Sequence, residues 1–380
     1  MSRLVHLCAR LPVGGMESVV AALVRHVPAD LHRSSVWCLE DIDALGRELA
    51  AEGRAVLTLG KRRRRDLGLF LTIARRIRAE KIDLVHCHDE LAWFYGAVGA
   101  RLAARRVRVV MTMHGRRPGM STRHRIEQRA LASLSSSVVC VSEFLRRQVI
   151  AELGLAAGQV ATIANGIDID AQRPDRDAAA RARALLGLPD SAVVIGSVGE
   201  LSTVKNIDVM LEAAAIAAQS SPSLRVVLVG DGAHRERLVK KAAALGLRNV
   251  LFTGVRRDVA AVLPAFDIYV CSSDYEGISL AILEAMARGR AVLATAVGGN
   301  PELVEPDVNG VLVPKGDVPA LAREMVRLAG DPALRERLGA TAHARVGMQY
   351  GTARMIERYL DVYAGGAALP GHVRAASLGL

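Results

Sequence analysis

Ile268-Tyr269-Val270-Cys271-Ser272-Ser273-Asp274-Tyr275-Glu276-Gly277-Ile278-Ser279-Leu280-Ala281-Ile282-Leu283-Glu284-Ala285-Met286-Ala287 runs from an apolar segment, through a polar turn, into a second apolar segment. Ile268–Cys271 has the composition of a strand buried on both faces. The Gly277-Ile278-Ser279 step reads as a helix start, with Glu276 in the loop before it and Glu284 inside the helix. A helix N-terminus offers free N–H groups and a partial positive charge, which suit a phosphate. Carboxylates beside such a cradle suit polyol hydroxyls, because each oxygen accepts hydrogen bonds. Phosphate plus polyol is the chemistry of a nucleotide sugar.

The same strand–loop–helix unit recurs outward in both directions. Apolar runs at Leu4–Ala9, Ser35–Leu39, Ala55–Leu59, Ile82–Cys87, Val107–Met113, Val138–Val141 and Val160–Ile163 predict strands. Helical patterns such as Met16–His26, Leu67–Glu80 and Glu143–Leu153 separate them. A polar stretch with Pro174 and Pro189 follows, and the alternation restarts at Ala192–Val198, Arg225–Val229, Val250–Phe252, Ala291–Ala294 and Gly310–Val313. Continuous apolar strands between helices predict an α/β chain of two Rossmann-like, doubly wound parallel-sheet domains facing a cleft. The expected division is 1–168 for the first domain, 169–190 for an interdomain linker containing an Ala/Arg-rich helix, and 191–346 for the second. A helix at 347–364 and a frayed tail at 365–380 follow. Residues 332–363 read as helical throughout.

At 380 residues and 51% hydrophobic, the chain supports two ordinary cores, and 3% aromatics makes them aliphatic. No apolar run is long enough for a membrane span. Five scattered cysteines, Cys8, Cys38, Cys87, Cys140 and Cys271, suit buried thiols in a cytosolic protein. The net charge of +11 is uneven: residues 1–170 carry 26 Lys/Arg against 17 Asp/Glu, residues 171–380 carry 24 against 22. The basic half, including Lys61 to Arg65, predicts attraction to anions. Without a basic recognition helix and aromatic platforms, nucleic acid is not an expected partner.

Other segments carry chemistry at predicted strand ends. Lys205, in Gly199-Glu200-Leu201-Ser202-Thr203-Val204-Lys205, enters a helix where an ammonium can meet a diphosphate. Gly14-Gly15 after the first strand lets backbone approach a phosphate. His114 ends a strand on the expected cleft side, placed to hydrogen-bond a sugar. Gly254-Val255-Arg256 suits the lining of a base pocket. His86 and His88 share a face by strand alternation, but two histidines make a weak metal site. The triplets Asp41-Ile42-Asp43 and Asp168-Ile169-Asp170 are equally weak as metal–diphosphate signals.

Glu276 and Glu284 with the intervening residues, Glu284-Ala285-Met286-Ala287-Arg288-Gly289, Val297-Gly298-Gly299-Asn300-Pro301-Glu302 and Ile163-Ala164-Asn165-Gly166-Ile167-Asp168 form one pattern. It resembles the retaining glycosyltransferases of family 4, with the GT-B fold, over residues 3–364. The resemblance implies that Glu276 contacts the donor sugar and Glu284 the ribose. It implies that Gly277, Ile278, Ser279 and Leu280 offer backbone to the diphosphate or sugar, while Lys205 neutralises charge. Gly14 and Gly15 would serve the phosphate side, His114 the transferring sugar, and the C-terminal helix, roughly Thr352–Tyr363, would cross back onto the first domain. Arg256 stands as a further cation where Glu200 departs from the family's basic residue. No cofactor or metal is expected.

The partners so implied are a UDP- or GDP-sugar and a glycan or lipid-linked acceptor, in cell-surface polysaccharide synthesis. The expected location is the cytoplasm, with an anionic membrane surface as a further contact for the basic first half. Two other readings fit the same fold: a nucleotide-sugar epimerase, and a nucleotide-sugar-binding subunit of weak turnover. Glu200 is the feature that favours the second.

Overall fold

The computed structural model describes residues 1–61, 63, 66–115, 119–169 and 177–365. Arg62, Arg64, Arg65, Asp170, Pro174 and all but the first residue of the expected tail lie outside the described residues. The chain divides into two compact units: Met1–Asn165 with the described residues from Ala353 onward, and Gly166–Thr352.

In the first unit, seven parallel strands run in the order β3-β2-β1-β4-β5-β6-β7. They are β1 (Ser2–Cys8), β2 (His32–Cys38), β3 (Ala55–Thr58), β4 (Leu84–Cys87), β5 (Arg108–Met113), β6 (Ser137–Cys140) and β7 (Val160–Thr162). Strand β4 is buried along its whole length and the edge strand β3 is not, as expected for a sheet covered on both faces. The order reverses between β1 and β4, where His6 lies in register with His86. Asp89 joins that reversal. Its carboxylate caps the helix Glu90–Leu102 through Ala92 N–H at 2.8 Å and accepts Ala9 N–H at 2.6 Å.

The second unit holds six parallel strands in the order β10-β9-β8-β11-β12-β13. They are β8 (Val193–Val198), β9 (Leu224–Val229), β10 (Val250–Gly254), β11 (Ile268–Cys271), β12 (Ala291–Thr295) and β13 (Val311–Val313). Here the reversal falls between β8 and β11. Its aliphatic core joins strand residues Ile195, Val226 and Leu293 to helix residues Met210, Leu211, Leu321 and Met325. All five cysteines are buried free thiols, each within a strand.

Two segments between and after the sheets take definite form. The helix expected within the linker is Ala178–Leu185, and it belongs to the second unit. Arg183 ties it there, donating to Asp267 at 2.8 Å and to the carbonyls of Asp190 and Ala192. The stretch 332–363 is not one helix. Pro332–Gln349 ends at Tyr350, and Thr352–Ala364 begins after Gly351. Ile167 takes the backbone there: its N–H donates to the Tyr350 carbonyl and its carbonyl accepts Thr352 N–H. The first helix stays with the second unit, while the last packs on the sheet of the first.

Candidate active site

In the second unit, the loops after β8 and β11 leave the sheet at its reversal, where open α/β sheets bind ligands. Several bonds lock the two loops together. Ser272 Oγ donates to the Lys205 carbonyl at 3.0 Å, Asp274 N–H to the Val204 carbonyl at 2.7 Å, and Asn206 Nδ2 to Asp274 Oδ1 at 2.9 Å. Asn206 sits in the left-handed region at φ 44, a strained conformation that asparagine tolerates. That turn closes the short helical segment Thr203–Lys205 and opens the helix Ile207–Ser220.

The lock places Lys205 Nζ 2.7 Å from Glu276 Oε1, with side chains 30% and 10% exposed. Ser273 Oγ donates to the same oxygen at 2.6 Å. Burial works against the Lys205 ammonium, but Glu276, Cys271 and Glu200 hold it above the usual lysine range. Glu200 is exposed, so its part here is the field it adds to Lys205.

A glycine clears the space for Glu276. Gly298 has φ 55, and a Cβ there would overlap the Glu276 carbonyl oxygen. The same carbonyl accepts Gly299 N–H at 3.1 Å. Asn300 and Thr295 brace the loop, Asn300 Nδ2 donating to the Thr295 carbonyl and Thr295 Oγ1 to the Ser273 carbonyl. Gly230, at φ 135, likewise lies too close to the Gly199 carbonyl for any side chain.

Ser279 caps the helix Leu280–Ala287 through its own hydroxyl, which accepts Ile282 N–H at 3.3 Å. Glu284 lies partly buried within that helix. Burial pushes its carboxyl up to about 7, with Arg288 one turn later pulling the other way. Val255 and Arg256 follow β10, two strands from the reversal, and Val255 is exposed. The Arg256 guanidinium is engaged by Asp258 at 2.9 and 2.5 Å.

In the first unit, Gly14 precedes the helix Gly15–His26, and the Glu17 carboxylate folds back against it. Burial raises the Glu17 carboxyl, and Asp89 adds to the effect. His114 follows β5, and burial lowers its imidazole to about 3. Asp43, from the first acidic triplet, is taken by Arg10 at 2.9 and 2.8 Å. Sequence reasoning missed Ser273, Asn206 and Asp274, which shape the Lys205–Glu276 pair. Their adjacency comes from β8 and β11 being neighbours, and single-residue spacing does not carry it. It also missed His6, which joins His86 and His88 only because β1 pairs with β4.

The second unit thus presents a strand–loop–helix cradle with a lysine–glutamate pair at its sheet reversal. The model of the family described as "Glycosyl transferases group 1" matches residues 180–345, and that of "Glycosyltransferase Family 4" matches residues 13–171. A D-inositol 3-phosphate glycosyltransferase of Saccharomonospora viridis is 34% identical over 309 residues, covering 74% of this chain and 69% of the relative. An Escherichia coli UDP-Gal:alpha-D-GlcNAc-diphosphoundecaprenol alpha-1,3-galactosyltransferase is 26% identical over 309 residues, 79% of each chain. The Anabaena protein Alr3699/HepE, solved with UDP-glucose, superposes with a TM-score of 0.85 at 24% identity, covering 96% of this chain and 100% of that one. The chain belongs to the group 1/family 4 glycosyltransferases and has their GT-B fold.

Proposed function

We propose that the protein moves a sugar from a nucleoside diphosphate sugar, UDP-sugars first, to a glycan or lipid-linked acceptor, retaining the anomeric configuration. The observation that carries this reading is the Lys205–Glu276 pair at the β8/β11 reversal, beside a capped helix N-terminus. The UDP preference is supported by relatives named for UDP-galactose and solved with UDP-glucose.

Cleaving the sugar–phosphate bond leaves negative charge on the diphosphate. Lys205 and the N–H groups at Gly277, Ile278 and Ser279 stabilise that charge as it forms. The Glu276 carboxylate lies beside the carbon that gains oxocarbenium character, and Glu284 accepts the ribose hydroxyls. The acceptor oxygen attacks from the face the diphosphate leaves, and its proton passes to that leaving phosphate. No metal takes part in this step. Gly14, Gly15 and His114 belong to the unit we assign to the acceptor, in cell-surface polysaccharide assembly at the cytoplasmic side of the membrane.

Thermal-shift titration across UDP- and GDP-sugars is the direct test. UDP-sugars should raise the melting temperature, and NMR of the product should show the donor's anomeric configuration. A chain stabilised by no nucleotide sugar would refute the proposal. Conversion of the donor without any acceptor would instead make the enzyme an epimerase.

A further inference from the structure

The first unit holds a cluster that sugar transfer does not use. His6, His86 and His88 are all buried, and one ring nitrogen from each lies within 4.8 Å of the other two. They sit on rigid neighbouring strands: His6 pairs in register with His86, and His88 follows two residues later on the same face. His6 Nδ1 and His88 Nε2 face each other at 3.0 Å, so a single proton holds them together. His86 Nδ1 meets Tyr363 Oη and its Nε2 meets Thr112 Oγ1, each at 2.7 Å.

We propose that these three histidines bind one transition-metal cation of the zinc class as a structural site beneath the helix Thr352–Ala364. A neutral imidazole has one lone pair and one N–H. Counting His114, the cluster has four of each. Among the described residues, His6 Nε2, His88 Nδ1 and both His114 ring nitrogens find no hydrogen-bond partner. A cation takes the lone pairs of His6 Nδ1 and His88 Nε2, the two nitrogens that face each other, and their far nitrogens, His6 Nε2 and His88 Nδ1, then carry the protons. Zinc–nitrogen bonds of about 2.0–2.1 Å put tetrahedral ligand atoms about 3.3 Å apart, close to the 3.0 Å already separating His6 from His88. The third ligand is His86 Nε2, released when the Thr112 hydroxyl turns away. Tyr363 then orients that ring from its far side, as outer partners of metal-bound histidines do. Asp89, next in sequence, is occupied by Ala9 and Ala92 N–H groups. An all-imidazole set selects Zn2+, Co2+ or Ni2+ over Mg2+.

The test uses the full chain without a polyhistidine tag, loaded with Zn2+ and dialysed. Elemental analysis should find one zinc per chain and no retained Mg2+. Cobalt in its place should give visible ligand-field bands. His6→Gln and His88→Gln should each abolish both signals, with circular dichroism confirming that the variants fold. Thr112→Val, which frees His86 Nε2, should tighten Zn2+ binding. The site is refuted if dialysed protein keeps no zinc, if the cobalt bands survive both glutamine variants, or if Thr112→Val fails to tighten binding.

Discussion

At the scale of single residues, the ion pair between Lys205 and Glu276 sets the expectations. Glu276→Gln keeps an acceptor for Ser273 but removes the charge, and should lower kcat about 100-fold or more, the size of one lost transition-state contact. Lys205→Ala should do likewise. Turnover within threefold of wild type in both would overturn the assignment. Glu284 gives a pH prediction. Its carboxyl is raised from the ordinary 4.5 to about 7, so the folded chain keeps a proton that the unfolded chain has lost between those values. The stabilisation is complete below the ordinary value and is lost as pH rises through about 7. Ribose hydroxyls donate best to the ionised form, so UDP affinity should strengthen from about pH 6 to about pH 8. Isothermal titration of Glu284→Gln should show no such slope. Sequence position alone singled out these residues: Lys205 and Glu276 in loops after strands, and Glu284 eight residues after Glu276 inside the next helix. Their supports were not legible: Ser273, Asn206 and Asp274 act through a neighbouring loop, and Arg256 is committed to Asp258 by geometry that composition does not carry.

At the scale of elements, the loop Val297–Asn300 is the sharpest case. Gly298→Ala both forces alanine into the left-handed region and drives its Cβ into the Glu276 carbonyl. Gly316 has φ 72 with open space around it, so Gly316→Ala pays only the backbone strain, roughly 1–2 kcal/mol. Thermal melts should fall for both and further for Gly298→Ala, and steady-state assays should show turnover falling only in Gly298→Ala. Equal effects on melting and activity would mean that the loop does not position Glu276. Strand and helix positions were readable from periodicity. Periodicity alone reads straight through Tyr350-Gly351, because helical propensity on either side is strong, and the boundary there was placed by the family resemblance instead. It is decided by Ile167, nearly two hundred residues earlier in sequence, taking the backbone bonds.

At the scale of the whole molecule, alternating apolar segments were enough to predict two parallel sheets, because burial on both faces leaves a continuous hydrophobic signature. Charge is the other global signal. Leu67 and Leu71 are exposed on the helix Leu67–Ala79, in the half that carries most of the positive balance. No helix among the described residues is long and apolar enough to cross a membrane. If that surface meets an anionic bilayer, co-sedimentation with phosphatidylglycerol vesicles should fall steeply between low and physiological salt. Leu67→Glu should weaken it further. Binding equal on neutral vesicles, or indifferent to salt, would remove the membrane contact.

The helix Thr352–Ala364 has a consequence for how the protein is made. His86 and Tyr363 bond across 277 residues of sequence. A ribosome adding about 5–20 residues per second needs roughly 10–40 s to travel from the end of the first sheet to that helix. Through that interval the histidine-bearing face of a finished sheet has no cover. Nascent chains arrested just before Thr352 should therefore be chaperone-bound and cut readily by protease, and release of a few more turns of helix should protect them.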